Sequence, residues 1–177
     1  MAEPFSSFPI PLDAVNALSE DEFVDVFGDV AEHSPWVAAN AGEARPFASR
    51  EAMIGSFHAA MHEAGHERQR ALLLAHPDLA GRAAIAGEVT GDSRREQAGV
   101  GLDRLTADEF ARFTRLNEAY RTRFGIPFIF AVRGATKDAI LAGFETRLKN
   151  TPEEEFSTAL SQVGRIIRFR LEDRVSP

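Results

Sequence analysis

Two short stretches carry residue types able to move a proton. In Ala75-His76-Pro77-Asp78-Leu79-Ala80-Gly81 an imidazole stands directly before a proline, where a helix is expected to stop. In Ser93-Arg94-Arg95-Glu96-Gln97 a serine precedes a glutamate by three residues, the spacing of a capping box at a helix start. An imidazole at one helix end and a carboxylate at the next helix start form an acid/base pair suited to proton transfer near neutral pH. Ser93 and Glu96 also admit a structural reading, in which the serine accepts from the N3 amide and the glutamate reaches back to the serine amide. Gln97 adds a donor and an acceptor beside them, and helix N-termini favour anions, so an anionic substrate fits the same place.

Two further constellations compete for a role. Arg170 continues the apolar stripe Phe156, Leu160, Val163, Ile167 at helical spacing. An inward arginine is a snorkelling side chain, one half of an internal ion pair, or a bidentate clamp on a substrate carboxylate. His62-Glu63-Ala64-Gly65-His66 matches the H-E-x-x-H pattern of helical zinc sites, and His58 one turn earlier puts three histidines on one predicted stripe. A polar face near a helix end is the preferred reading of that string. Gly65 weakens the helix that must hold the ligands. The third histidine of the metzincin spacing is missing, and the distant alternative, Glu88, falls in a glycine-rich connection. The expected metal ligand set is therefore none. A zinc hydrolase and a non-catalytic helical binding domain are the alternatives to an acid/base enzyme.

The elements that must position these residues are legible from their start signals. Residues 1–11 read as an extended arm and Leu12 to Leu18 as a short helical turn. Ser19-x-x-Glu22 caps a helix with Phe23, Val26, Phe27 and Val30 on one face. Ser34-Pro35 starts another, and Ser49 caps a longer one carrying Met53, Ile54, Phe57, Ala60 and Met61 inward. After the connection Gly81 to Gly91, Ser93 opens a helix ending near Gly99 and Gly101. Thr106-x-x-Glu109 starts a long helix with Phe110, Phe113, Leu116, Tyr120 and Phe124 inward and Gly125 just beyond its end. Ile126 to Val132 has strand composition but no partner run, so it reads as an extended buried segment. Thr136 caps a helix to Lys149, and Thr151-Pro152-Glu153-Glu154 starts the last one. The class is all-α, a single-domain bundle over residues 1–177 of roughly eight to ten mostly short helices.

Composition narrows the partners. The chain has 177 residues, 44% apolar and 27% charged, with a net charge of −7 and no cysteine. No basic block points to nucleic acid, no thiolate chemistry or disulfide is available, and no apolar run approaches the roughly 18 residues of a membrane span. No secretory pattern is read at the N-terminus, and the expected location is the cytoplasm.

Taken in order, Glu32-His33-Ser34-Pro35-Trp36, Arg45-Pro46-Phe47, His76-Pro77-Asp78-Leu79-Ala80-Gly81, Ser93-x-x-Glu96-Gln97, Leu116-Asn117-x-x-Tyr120-x-x-Arg123-Phe124-Gly125-x-Pro127-Phe128-Ile129 and Arg168-Phe169-Arg170-Leu171 make the chain resemble the 2-oxo-4-hydroxy-4-carboxy-5-ureidoimidazoline (OHCU) decarboxylase family. The resemblance runs over nearly the whole chain. It implies an all-helical, cofactor-free and commonly homodimeric enzyme that converts OHCU to (S)-allantoin and CO2 in uric acid degradation. It further implies that His76 and Glu96 are catalytic and that Pro77, Ser93 and Gln97 contact the substrate. The segment Phe128, Ile129, Phe130, Ala131, Val132 would bind through its backbone, and Arg170 would hold the substrate. The end of that segment varies in the family, and the H-E-x-x-H string is not one of its hallmarks.

Overall fold

The computed structural model describes residues 8–81 and 89–177. All regular elements among them are helices, as the start signals predict: α1 Leu12–Ala17, α2 Glu20–Phe27, α3 Pro35–Gly42, α4 Arg50–Glu63, α5 His66–Leu74, α6 Gly91–Gly99, α7 Ala107–Phe124, α8 Lys137–Arg147 and α9 Pro152–Arg174. They gather into two compact units. The first comprises the residues up to Ala75 together with Gly164–Pro177, and the second His76–Val163. α9 therefore begins in the second unit and ends in the first.

In the first unit the predicted caps form. Ser19 Oγ accepts from the Glu22 amide and Glu22 returns the contact to the Ser19 amide at 2.9 Å, which closes the capping box of α2. The hydrogen bond from the Ser19 backbone holds the Glu22 carboxyl below the usual carboxylate range. Phe23 lies between Phe27 and Phe57, with ring centroids 4.9 and 6.2 Å away, and Met53, Ile54 and Met61 are fully buried. Burying each such side chain contributes about 1.5–3 kcal/mol, so this aromatic and aliphatic face is what holds short helices of low intrinsic stability. Residues 1–7 of the expected arm lie outside the described residues. Its end is extended: the Ile10 amide donates to Arg174 O at 2.8 Å and Ile10 O accepts from the Ser176 amide at 2.9 Å.

The second unit is built around α7. Its capping box is formed by Thr106 and Glu109, and Gly125 ends it at φ +67°, a left-handed conformation that glycine adopts without steric cost. Along its inner face Phe113, Asn117 and Tyr120 are buried. The predicted stripe placed Leu116 there; it is half-buried, and the polar Asn117 takes the inward position. Residues 127–132 belong to no helix or strand, and among the described residues there is no strand for them to pair with. Phe128 stacks on Phe144 at 3.6 Å and meets Tyr120 edge-on at 5.2 Å. A Cβ at Gly143 would stand 2.9 Å from the half-buried Phe130 ring, so a larger residue there would have to shift that ring.

Beneath these rings lies a charged cluster. Glu155 is fully buried on the first turns of α9 and accepts from Arg147 Nε at 2.8 Å, from Arg147 Nη2, from the Tyr120 hydroxyl and from Asn150 Nδ2 at 2.8 Å. Burial first, and the hydrogen bond to Glu155 second, push the Tyr120 phenol far above its ordinary pKa, so it stays a donor. Arg147 also lies 4.4 Å over the Phe128 ring. Removing one partner of such a pair leaves an uncompensated buried charge, which costs about 3–5 kcal/mol. Arg147→Leu is therefore expected to lose about that much in urea unfolding. Lys137→Ala, which removes the half-exposed pair with Glu109, should lose less than about 1 kcal/mol. Equal losses in the two variants would show that Glu155 does not depend on its guanidinium.

Candidate active site

The loop carrying His76 is irregular, with His76, Leu79 and Ala80 buried and Pro77, Asp78 and Gly81 half-buried. α5 ends at Leu74, Ala75 closes its last turn, and Pro77 prevents continuation. His76 is 6% exposed. Three side chains pin the loop that follows. Arg121 Nε donates to the Asp78 carboxylate at 3.0 and 3.1 Å. Asn117 Nδ2 donates to Leu79 O at 2.9 Å, and the Ala80 amide donates to Gln97 Oε1 at 2.9 Å. Ala80 sits at φ +53°, a region that costs a residue with a Cβ on the order of 1 kcal/mol. Such a conformation persists only where its surroundings over-determine it, and the contacts from α6 and α7 supply that constraint.

α6 differs from its prediction. The helix begins at Gly91, and its N-cap is Thr90, whose side chain accepts from the Ser93 amide at 3.4 Å. Ser93 is thus a first-turn residue and not the cap, and the capping-box reading of Ser93 and Glu96 is corrected. Ser93 and Gln97, four residues apart, share the buried face, and Glu96 is half-buried beside them. Ser93 and Glu96 are therefore released from capping duty. Gln97 spends its carbonyl oxygen on the loop of His76, so one member of the predicted substrate set also fixes the backbone beside the predicted catalytic histidine. Glu88 and most of the glycine-rich connection lie outside the described residues.

In the segment Phe128, Ile129, Phe130, Ala131, Val132 all but Phe130 are buried. Ile129 O accepts from Arg147 Nη1 at 2.5 Å, the Ala131 amide donates to Gln162 Oε1 at 2.9 Å, and Val132 O accepts from the Ala135 amide at 2.9 Å. The same helix that pins the His76 loop through Asn117 and Arg121 packs this segment through Tyr120 against Phe128. α7 thus supports both of these irregular stretches.

Arg170 belongs to the first unit and is 2% exposed. Its Nη1 donates to Glu32 Oε2 at 3.0 Å and to Val30 O at 3.2 Å, so the internal ion pair is present. The H-E-x-x-H string is not carried by one helix. α4 ends at Glu63, Gly65 is the N-cap of α5, and His66 is the first residue of α5, so the stripe expected of His58, His62 and His66 is broken. His58 Nε2 lies 2.8 Å from Gly164 O. Sequence reasoning missed the buried polar residues Asn117, Arg147, Glu155 and Glu32. A signal existed for Asn117 and Glu155, since each shares the helical spacing of an inward stripe; none existed for Glu32, whose partner is 138 residues away.

A family model described as OHCU decarboxylase matches residues 16–172. The 2-oxo-4-hydroxy-4-carboxy-5-ureidoimidazoline decarboxylase of Haloferax volcanii is 44% identical over 167 residues, covering 94% of this chain and 97% of the relative. That of Amia calva is 43% identical over 162 residues, covering 90% and 91%. The crystal structure of an (S)-allantoin synthase is similar with a TM-score of 0.77 and 30% identity over 95% of this chain, which spans 54% of that longer protein. With the family model matched over residues 16–172 and likeness along nearly the full length of the two decarboxylases, the chain belongs to the OHCU decarboxylase family.

Proposed function

We propose that this protein decarboxylates OHCU to (S)-allantoin and CO2 in uric acid degradation, without a cofactor, as a cytoplasmic homodimer. The observation that carries the reading is the His76 loop. Its fixing residues Asp78, Ala80, Gln97, Asn117 and Arg121 lie within or beside the segments shared with the family. A buried imidazole followed by a backbone held at residues 78–80 suits a stereospecific proton transfer.

The substrate bears a carboxylate and a hydroxyl on one ring carbon, next to a ring C=N. When the bond to the carboxylate breaks, its electron pair moves toward the imine, CO2 leaves, and an enol-like intermediate forms. The ring nitrogen that receives the electron pair takes up a proton, a second proton adds to the ureido-bearing carbon, and the hydroxyl releases its proton to Glu96 or solvent as it becomes the carbonyl, so that one proton is consumed overall. The substrate is its own electron sink, so neither a metal nor an organic cofactor is required for that step. His76 delivers the proton to one face. Glu96 orients the imidazole or accepts from the hydroxyl and ureido N–H groups. Pro77, Ser93, Gln97 and the backbone of residues 128–132 shape the site, and Arg170 orients the substrate through an oxygen other than those that depart.

The test is turnover of freshly made OHCU, read by the circular dichroism of the allantoin formed. His76→Asn is expected to lose at least about 10²-fold in kcat, the lower end of general acid–base contributions. Parent-rate formation of (S)-allantoin by that variant would move the proton donor elsewhere. Glu96→Gln, which keeps shape but removes charge, should fold normally and lose activity; full activity would leave Glu96 without a chemical role. Exhaustive chelation should leave turnover unchanged, and stoichiometric zinc whose removal abolishes turnover would overturn the cofactor-free reading.

Immobilisation of the loop has its own expected signature. Asn117→Ala strands the buried Leu79 carbonyl, at a cost of about 1–3 kcal/mol, and should accelerate hydrogen exchange at the Ala80 amide. kcat should fall with it while the far-ultraviolet spectrum stays unchanged. Parent exchange and parent kcat together would mean that the loop holds its shape without Asn117.

A further inference from the structure

We propose that Glu32 is a positioning residue that sets the plane of the Arg170 guanidinium. The proposal rests on the reading that Arg170 orients the substrate, and it adds a residue to which the sequence assigned no role. Glu32 has no solvent exposure, and Arg170 is 2% exposed. Taking both charges out of water costs several kcal/mol per ion, and an apolar pair of similar volume serves stability as well or better. Stability alone is a poor reason for this pair.

The adjacent turn of α9 shows what a merely tethering contact looks like. Arg174, four residues on, donates through Nη1 to Val26 O at 2.8 Å and to Asp29 Oδ1 at 2.5 Å. The Asp29 side chain is 64% exposed, so that contact already ties the end of α9 to the chain after α2 with a carboxylate that stays in water. The second pair repeats the tie with a carboxylate that is fully desolvated. What Glu32 adds is geometry. A guanidinium is planar and rigid, so fixing Nη1 between Glu32 Oε2 and Val30 O fixes the plane and heading of the whole fork.

The backbone around Glu32 is shaped for the same end. His33 stands at φ +45°, a sparsely populated region for a residue with a Cβ. It is held there by Ser34, which is 4% exposed: its hydroxyl donates to Glu32 O at 2.9 Å and its amide to Ala31 O at 3.0 Å. Pro35 then opens α3. Strain of this kind is retained where a side chain must be aimed, and the buried side chain beside it is Glu32.

The experiment compares Glu32→Gln, Glu32→Asp, Arg170→Lys and the double variant Glu32→Gln/Arg170→Lys, by steady-state kinetics on OHCU and by 15N NMR of the arginine side chains. Glu32→Gln is expected to raise KM at least tenfold with a smaller change in kcat. It should also speed rotation of the Arg170 guanidinium, seen as coalescence of its Nη proton resonances. In the Arg170→Lys background, where no planar fork remains to be aligned, the same substitution should change KM less than threefold. A parent KM in folded Glu32→Gln overturns the proposal, as do effects of the two substitutions that multiply. If Glu32→Gln does not fold, Glu32→Asp decides: a raised KM with a freed guanidinium supports the proposal. A parent KM, or failure of that variant to fold as well, assigns Glu32 to folding and overturns it. Arg170→Ala separates the two levels. Unchanged kinetics there sinks the substrate role of Arg170 itself, whereas a severe loss alongside a parent-like Glu32→Gln sinks only the role of Glu32.

Discussion

A buried guanidinium that grips a carboxylate and a main-chain carbonyl together is the contact on which both units depend. Arg147 joins Glu155 to Ile129 O, and Arg170 joins Glu32 to Val30 O; Arg174 joins Asp29 to Val26 O in the same way. Each of these carbonyls lies in irregular backbone or in the last turn of a helix, where no intrahelical donor reaches it. A buried carbonyl left without a donor costs about 1–3 kcal/mol. Arginine is the side chain with enough donors in a fixed fork to satisfy the carbonyl and a counter-charge at once. An all-helical chain that needs irregular segments inside has few other means of holding them.

The irregular segments are also where the proposed chemistry would lie. A helix or a capped turn can support a side chain, but its backbone groups are already committed to one another. The stretches 76–81 and 126–132 carry the predicted catalytic histidine and the predicted main-chain contacts, and both lean on α7. Asn117 and Arg121 reach one stretch and Tyr120 the other. Three residues within five positions on one helix therefore couple the two stretches. A shift of α7 by a fraction of an ångström would be felt in both, because close-packed interiors transmit strain.

The local grammar of the chain was legible, and its long-range polar contacts were not. Caps at Ser19, Ser49, Thr106, Thr136 and Thr151 formed where their spacing placed them. The exception is instructive. Ser93-x-x-Glu96 has the spacing of a box, yet Thr90 caps the helix three residues upstream, and Ser93 and Gln97 lie on its buried face. Periodicity misled in the opposite sense on α7, because an apolar stripe was filled with Leu116 where Asn117 was needed for Leu79 O. Glu155 shares the spacing of an inward stripe, but neither its partner nor the burial of Glu32 and Arg147 could be read from local spacing. Composition says that a charge is seldom buried without a partner, but the partner is fixed only when distant parts of the chain meet. Gly65, expected to weaken a helix, stands between two of them, so His62 and His66 do not share one helical stripe.

The buried pairing of Arg170 also bears on how a decarboxylase avoids holding its substrate too well. A bare guanidinium would stabilise the carboxylate of the ground state, and that attraction would be lost as CO2 departs, which raises the barrier. Glu32 lies against Nη1 at 3.0 Å, so the pair presents an aligned donor with much of its long-range positive charge cancelled. Hydrogen-bond direction survives this cancellation, because it depends on the N–H vectors, while attraction for a distant anion does not. An arginine neutralised in place therefore suits the task of orienting a substrate whose own charge is about to leave.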